Sequence, residues 1–216
     1  MLRKAVKVLV DFTMAVSPST RVFPGSPRPS FIEWSTFGVH GYDSEVMHKS
    51  THTGAHIDAP SHFVPGRASI DQIPAARLPS SAVLIRVPKG ADGTISIDDF
   101  DKEEIRKGDA VVFATSWEKH EGDDYMTRNP GISQDVTSYL IERKVNAIGI
   151  DGPTIDPGFD EKFTAHSTLV PVGVIVIENL CNLFMIPGKR FTLFAAPLKL
   201  AGASGSPIRA LALLSS

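Results

Sequence analysis

The sequence predicts an α/β domain built on a mixed β-sheet with few helices. Three observations carry the prediction. Gly and Pro, 17 and 16 of the 216 residues, are spread along the whole chain and favour short elements and turns over long helices. Apolar runs of strand length recur from end to end. Only the stretch that follows Ser133 carries a full set of helix signals. The length is that of one domain, 1–216, and allows a core to be buried without disulfides. No repeat, linker or low-complexity tract divides it.

Residues 5–11 alternate and read as a strand ending at Asp11. Residues 17–30 hold four prolines and form an irregular arm. Residues 31–37 and 44–52 alternate as strands. Pro60, Pro65 and Gly66 keep the following stretch irregular, and Ala82–Val87 is a compact strand. Ser96 stands three residues before Asp99, close to a capping box, and opens a short helix expected to end near Gly108. Residues 110–115 form a buried strand. Ser133 caps the clearest helix. Val136, Leu140 and Ile141 are its apolar face, and Arg143 and Lys144 sit where the helix dipole favours cations. Residues 145–150 and 172–177 are strands. The second is apolar on both faces and belongs in the sheet centre. Residues 191–196 and 208–214 complete the sheet.

Composition narrows the partners. A net charge of -2 argues against nucleic acid or an anionic membrane as the main one. No apolar stretch approaches the ~20 residues that span a bilayer. The basic N-terminus is interrupted by Lys7 and lacks a small-residue cleavage site, so it does not read as a signal peptide. Cys181 is the only cysteine, which excludes an internal disulfide and fits a reducing, cytoplasmic setting. Its apolar neighbours suggest a buried small residue rather than a nucleophile.

The chemistry concentrates between Thr51 and Phe63. His52, His56, Asp58 and His62 are residue types that bind zinc or manganese, and a third His beside such a set is either a ligand or a proton carrier. All four positions are even-numbered, which would place them on one face of a regular strand. Magnitudes exclude that arrangement for a common metal. At ~3.3 Å per residue, His52 and His56 would stand about 13 Å apart, whereas two zinc ligands each lie within roughly 2 Å of the ion. The chain therefore bends at Gly54 or makes one helical turn. Three ligands from one stretch would leave coordination positions open for water, whose pKa a metal lowers to about 7; the resulting hydroxide could attack an amide, ester or lactam carbonyl.

Two downstream residues are candidates for the same site. Glu178 follows a six-residue apolar strand, and either emerges into solvent or turns into a site at the strand end. His166 is either a turn residue or a ligand. Together they would hold a second metal, with Asp58 bridging the two ions. His40, His48 and His120 lie in polar surroundings and read as surface residues. Trp117 and Tyr125 flank a charged loop and either border a pocket or pack in the core.

The stretch His52-Thr53-Gly54-Ala55-His56-Ile57-Asp58-Ala59-Pro60-Ser61-His62 resembles the His-x-Gly-Thr-His-x-Asp-x-Pro-x-His signature of the cyclase family of metal-dependent hydrolases, which includes kynurenine formamidases and isatin hydrolases. Further blocks resemble the family in order: Asp11-Phe12-Thr13, Phe23-Pro24-Gly25, Thr115-Ser116-Trp117, residues 129–133, residues 149–157, Pro197–Leu200 and residues 205–210. The resemblance implies a swivelling β/β/α domain, usually dimeric or tetrameric, with sites near subunit contacts. It implies two Zn²⁺ per chain, with Mn²⁺ as the alternative. His52, His56, Asp58, His166 and Glu178 would be the ligands, Asp58 the bridge and His62 the general acid/base. Phe23 would lie near a small-molecule amide substrate. The expected activity is hydrolysis of an arylformamide such as N-formylkynurenine. The alternatives are opening of a cyclic amide such as isatin, or a non-catalytic member stabilised by its metal. Two positions depart from the family pattern. Ala55 replaces a Thr and removes a hydroxyl, and Phe23 stands where Trp is frequent.

Overall fold

The computed structural model describes residues 8–214. In chain order the elements are β1 (Val8–Asp11), β2 (Ser30–Ser35), α1 (Phe37–His40), β3 (Ser44–His48), β4 (His56–Asp58), β5 (Pro79–Arg86), β6 (Thr94–Ile95), β7 (Ala110–Ala114), β8 (Gly131–Ile132), α2 (Gln134–Glu142), β9 (Ala147–Ile150), α3 (Thr164–Leu169), β10 (Ile175–Glu178), β11 (Arg190–Pro197) and β12 (Gly205–Leu214). The main sheet runs β1-β12-β11-β5-β7-β9-β10-β4, and β4 also pairs back onto β12. Gly205, Ser206 and Pro207 face Asp58, Ile57 and His56, while β1 takes the other end of that edge, at Leu211–Leu214. Seven strands thus close into a barrel. Strands β5, β7, β9 and β10 run parallel, and β4, β11 and β12 complete the circuit antiparallel. This is the mixed sheet with few helices that the sequence predicts.

Alternation along each strand separates two cores. Ile57, Leu84, Val112, Ile177, Leu193 and Ala210 belong to the enclosed one. Small residues recur there (Ala82, Ala110, Ala147, Ala195 and Ala212), as a narrow barrel interior requires. Val83, Val111, Phe113, Ile148, Ile150 and Val176 point the other way. They pack against Val136 and Leu140 of α2 and Ala165 and Leu169 of α3. No helix among the described residues is long and apolar enough to cross a membrane.

Several expected elements shift. Of the strand expected over 5–11, residues 5–7 lie outside the described residues and the rest forms β1, Val8–Asp11, ending at Asp11 as expected. The helix expected from Ser96 is instead two one-turn 3₁₀ segments, Ile97–Asp99 and Lys102–Glu104. The capping box forms, with Ser96 N and Oγ donating to Asp99 Oδ2 at 2.7 and 3.0 Å. Phe100 then extends (φ -152°) and sets its ring edge-on to Phe113 at 5.6 Å. The strand expected over 172–177 starts at Ile175, because Gly173 adopts φ +85° and leaves Val172 exposed in the preceding turn. Residues 31–37 and 44–52 form a shorter separate hairpin, β2–β3, with α1 between its strands.

Candidate metal centre and active site

The site grows out of the β4–β10 register. Gly54 has φ +70°, and a Cβ there would lie 2.9 Å from Val16 Cγ2, so the chain bends at that point. Of the two sequence possibilities for this stretch, the bend is the one observed. His56 and Asp58 then alternate with Ile57. Since Ile57 faces the enclosed core, both polar side chains face outward. Glu178 is the direct cross-strand partner of His56. Helix α3 lies over this same outer face and brings in His166.

Five side chains meet there. His52 Nδ1 lies 2.7 Å and His56 Nε2 3.5 Å from Asp58 Oδ1, while His166 Nε2 lies 3.2 Å from Asp58 Oδ2. Glu178 is 3.3 Å from His56 Nε2 through one oxygen and 3.2 Å from His166 Nε2 through the other. Asp58 therefore turns one oxygen toward each histidine group, and His52–His56–Asp58 and Asp58–His166–Glu178 each form a set able to hold a metal ion. Two ligands about 2 Å from a tetrahedral ion stand ~3.3 Å apart, close to these separations. The tautomers fit as well. His56 Nδ1 donates to the Gly54 carbonyl at 2.8 Å, and His166 Nδ1 donates to the Asp156 carboxylate. Both interactions leave Nε2 free to bind a cation. Nitrogen and oxygen donors of this kind suit Zn²⁺ or Mn²⁺.

Apart from half-buried His52, these groups are almost fully buried, so each depends on the others to offset the solvation it has lost. Burial alone would raise Asp58, yet the hydrogen bonds from His166 and His52 and the charge of His56 hold it well below the ordinary carboxylate range. Glu178 is lowered in the same way by His166 and His56. Conversely, burial would lower the imidazoles. Glu178 and Asp58 raise His56, and Glu178, Asp156 and Asp58 raise His166 well above its ordinary value.

His62 stands apart from both sets. It ends a one-turn segment that starts at Pro60, and its ring stacks on His52 at 4.0 Å and meets Phe63 edge-on at 4.8 Å. Loss of solvation lowers its imidazole below the ordinary value. A cavity of about 400 Å³ opens over the five buried and half-buried groups and is lined by His62, Phe23, Phe63 and Phe163 among others. Phe23 lies 6.3 Å and Phe63 5.9 Å from Phe163, ring centre to ring centre. All seven sequence-derived site residues thus border one cavity.

A family model described as putative cyclase matches residues 10–157. The chain belongs to the cyclase family. An isatin hydrolase from Roseibium aggregatum is 32% identical over 241 residues, covering 95% of this chain and 91% of that protein. A kynurenine formamidase from Salinibacter ruber is 28% identical over 207 residues, covering 94% and 95%. The solved structure of isatin hydrolase A from Labrenzia aggregata, bound to benzyl benzoate, aligns with a TM-score of 0.89 at 29% identity and covers 97% of this chain and 94% of that one.

The departure from the cyclase signature at Ala55 falls on the far side of the strand. Ala55 alternates with His56 and packs in the enclosed core, so the absent hydroxyl is not one that would face the metal-ligand atoms. The other histidines stay outside the site. His40 and His48 are exposed, while His120 is half-buried, stacked on Trp117 at 4.0 Å and bonded to Asp124 at 2.5 Å. Trp117 and Tyr125 are core residues joined by Trp117 Nε1 donating to the Tyr125 carbonyl at 2.9 Å. Cys181 is half-buried, and burial pushes its thiol up to about 11, which leaves it protonated at neutral pH.

Sequence reasoning missed further neighbours of the site, among them Phe63, which lines the cavity. Asp156 holds His166, and Ser204 Oγ lies 3.0 Å from His52 Nε2. Gly205 leaves room for the His52 ring, since a Cβ there would fall 2.4 Å from Cε1. Phe163 starts α3 in the left-handed region at φ +51° and still turns its ring to the cavity. Of these, Asp156 and Gly205 lie in blocks that resemble the family, which was the available signal. Phe163 had none.

Proposed function

We propose that this cyclase-family hydrolase cleaves the amide C–N bond of an arylformamide, with N-formylkynurenine, giving kynurenine and formate, as the leading substrate. The observation that carries the reading is the pair of ligand sets sharing Asp58 beneath an aromatic-walled cavity. His52, His56 and Asp58 would hold one ion, and Asp58, His166 and Glu178 a second, with Zn²⁺ favoured and Mn²⁺ the alternative. When bound, two such ions acidify a water and polarise a carbonyl. His62 takes a proton from the attacking water and returns it to the leaving aniline nitrogen, a role suited to a group neutral at working pH. Phe23, Phe63 and Phe163 offer apolar faces to the substrate ring. A cavity of this size is ordinary for a small-molecule site.

Opening of a cyclic amide is the second reading, supported by the likeness to isatin hydrolases. The deciding experiment measures turnover of N-formylkynurenine, formanilide and isatin, with metal content determined on the same sample. Two ions per chain and preferential turnover of the formamides support the first reading. Preference for isatin, with one tightly held Mn²⁺ and dispensable His166 and Glu178, replaces it with the second. A metal-dependent fold that turns over none of them makes the protein a metal-stabilised binding protein.

The reading includes a homodimer or homotetramer. Its support is the β2–β3 hairpin, where Ile32, Trp34, Phe37, Val39, Tyr42 and Met47 are all half or more exposed. A two-stranded sheet is marginal by itself, and so large an apolar surface is uncommon on a monomer.

A further inference from the structure

The two ligand sets are supported differently from behind. His56 leans on a neutral carbonyl, that of Gly54, and His52 on a neutral hydroxyl, that of Ser204. His166 alone leans on a carboxylate, Asp156, which is 1% exposed. The other oxygen of Asp156 accepts from Ala165 N at 2.6 Å. Among the described residues, two donors compensate this buried side chain, one from the backbone and one from an imidazole. A carboxylate can only accept, so it fixes the proton of His166 on Nδ1 and points the Nε2 lone pair at Asp58 and Glu178.

The segment carrying Asp156 is held rigidly. Asp156 N donates to Thr154 Oγ1 at 3.2 Å, and the Asp156 carbonyl accepts from Asn129 Nδ2 at 2.8 Å. Ile132 N donates to the Ile155 carbonyl at 2.9 Å. A Cβ on Gly131 would fall 2.1 Å from Pro157 N, so β8 lies directly on the segment. The same segment reaches a second ligand, because Ile155 N donates to Glu178 Oε1 at 2.9 Å. Two adjacent residues therefore orient two of the three members of one set.

We propose that Asp156 is the positioning residue of the Asp58–His166–Glu178 half-site, setting the His166 tautomer on which binding of the second divalent ion depends. The inference rests on the two-ion reading above, and its tests read metal binding rather than turnover. Asp156→Asn has nearly the same shape but one acceptor oxygen facing two donors. Its amide NH₂ must oppose Ala165 N–H or impose the Nε2–H tautomer on His166. In Asp156→Asn, Zn²⁺ retained after dialysis against a weak chelator should fall from two ions per chain to one, with the circular dichroism spectrum unchanged. The dissociation constant of the second ion should weaken on the order of 10–100-fold. In a His166→Ala background the same substitution should change zinc binding less than about twofold; equal weakening in both backgrounds would mean a general structural role and overturn the proposal. Histidine ¹⁵N NMR of the zinc-loaded wild type requires no variant to fold: it should show the His166 proton on Nδ1, and a proton on Nε2 overturns the proposal. Unchanged zinc affinity in Asp156→Asn ends this inference alone, whereas a wild type that binds no divalent ion ends it together with the reading beneath it.

Discussion

Two neighbouring histidines carry different expectations. His52 Nδ1 is 2.7 Å from Asp58, while His62 stacks on His52 and stands outside both candidate ligand sets. His62→Ala should keep the wild-type metal content and lose roughly 10²–10⁴-fold in kcat, as the loss of a general acid/base does. Loss of metal along with activity would make His62 a ligand instead. Gly205→Ala tests the seat of His52. The new methyl would lie under 3 Å from three atoms of the imidazole, so either the ring or the β4–β12 pairing must move. Metal affinity should drop on the order of 10–100-fold, read by chelator competition; an unchanged affinity would show that His52 is not needed in its present place. The titrations of His56 and His166 predict a pH dependence with a definite sign. Both imidazoles are raised, so each keeps a proton to a higher pH than a free histidine. A cation must displace those protons. Asp58 and Glu178 are lowered and already ionised in that range, so they contribute none. Zinc affinity should therefore rise from pH 6 to pH 8, with net proton release in calorimetry across buffers of different ionisation heat. A flat profile without proton release would remove these histidines from the ligand set.

At the scale of the element, α2 is a support with no ligand of its own. Leu140 is fully buried between the helix and the outer face of the sheet. Leu140→Ala should cost about 2–5 kcal/mol in urea unfolding while leaving metal content per folded chain unchanged. A loss of metal in proportion to stability would show that the site and the helix layer are coupled. The same elements show what local sequence can and cannot specify. Strands β7 and β9 and helix α2 were legible because their apolar residues are buried where the pattern places them. The Ser96 segment was misread because its cap is real but local. Phe100 instead extends and packs edge-on against Phe113, a tertiary contact that the capping pattern cannot contain. Gly173 was read as one more apolar strand position, yet it turns the chain at φ +85° and delays β10 by three residues.

At the scale of the molecule, the site exists because the sheet closes. β4 is only three residues long, and it is held on one side by β10 and on the other by β12. That double pairing puts His56 opposite Glu178, more than a hundred positions away in sequence. Residue types and a strand end nominated His166 and Glu178 as partners of the early histidines, and the likeness to the family supported that grouping, but neither periodicity nor spacing contains the closure that brings them together. Closure also accounts for the hairpin. A barrel removes sheet edges from solvent, and β2–β3 is left outside it as a separate two-stranded sheet. Trp34 and Val39 are 72% and 80% exposed there, and burying such side chains is worth ~25 cal/mol per Å². A second copy of the chain is the proposed cover. Sedimentation should give two or four chains per particle, and Trp34→Lys with Val39→Lys should shift it toward one chain without altering the barrel's circular dichroism. A wild type that sediments as a single chain at micromolar concentration would refute the assembly while leaving the candidate metal centre, built from one chain's residues, as it stands.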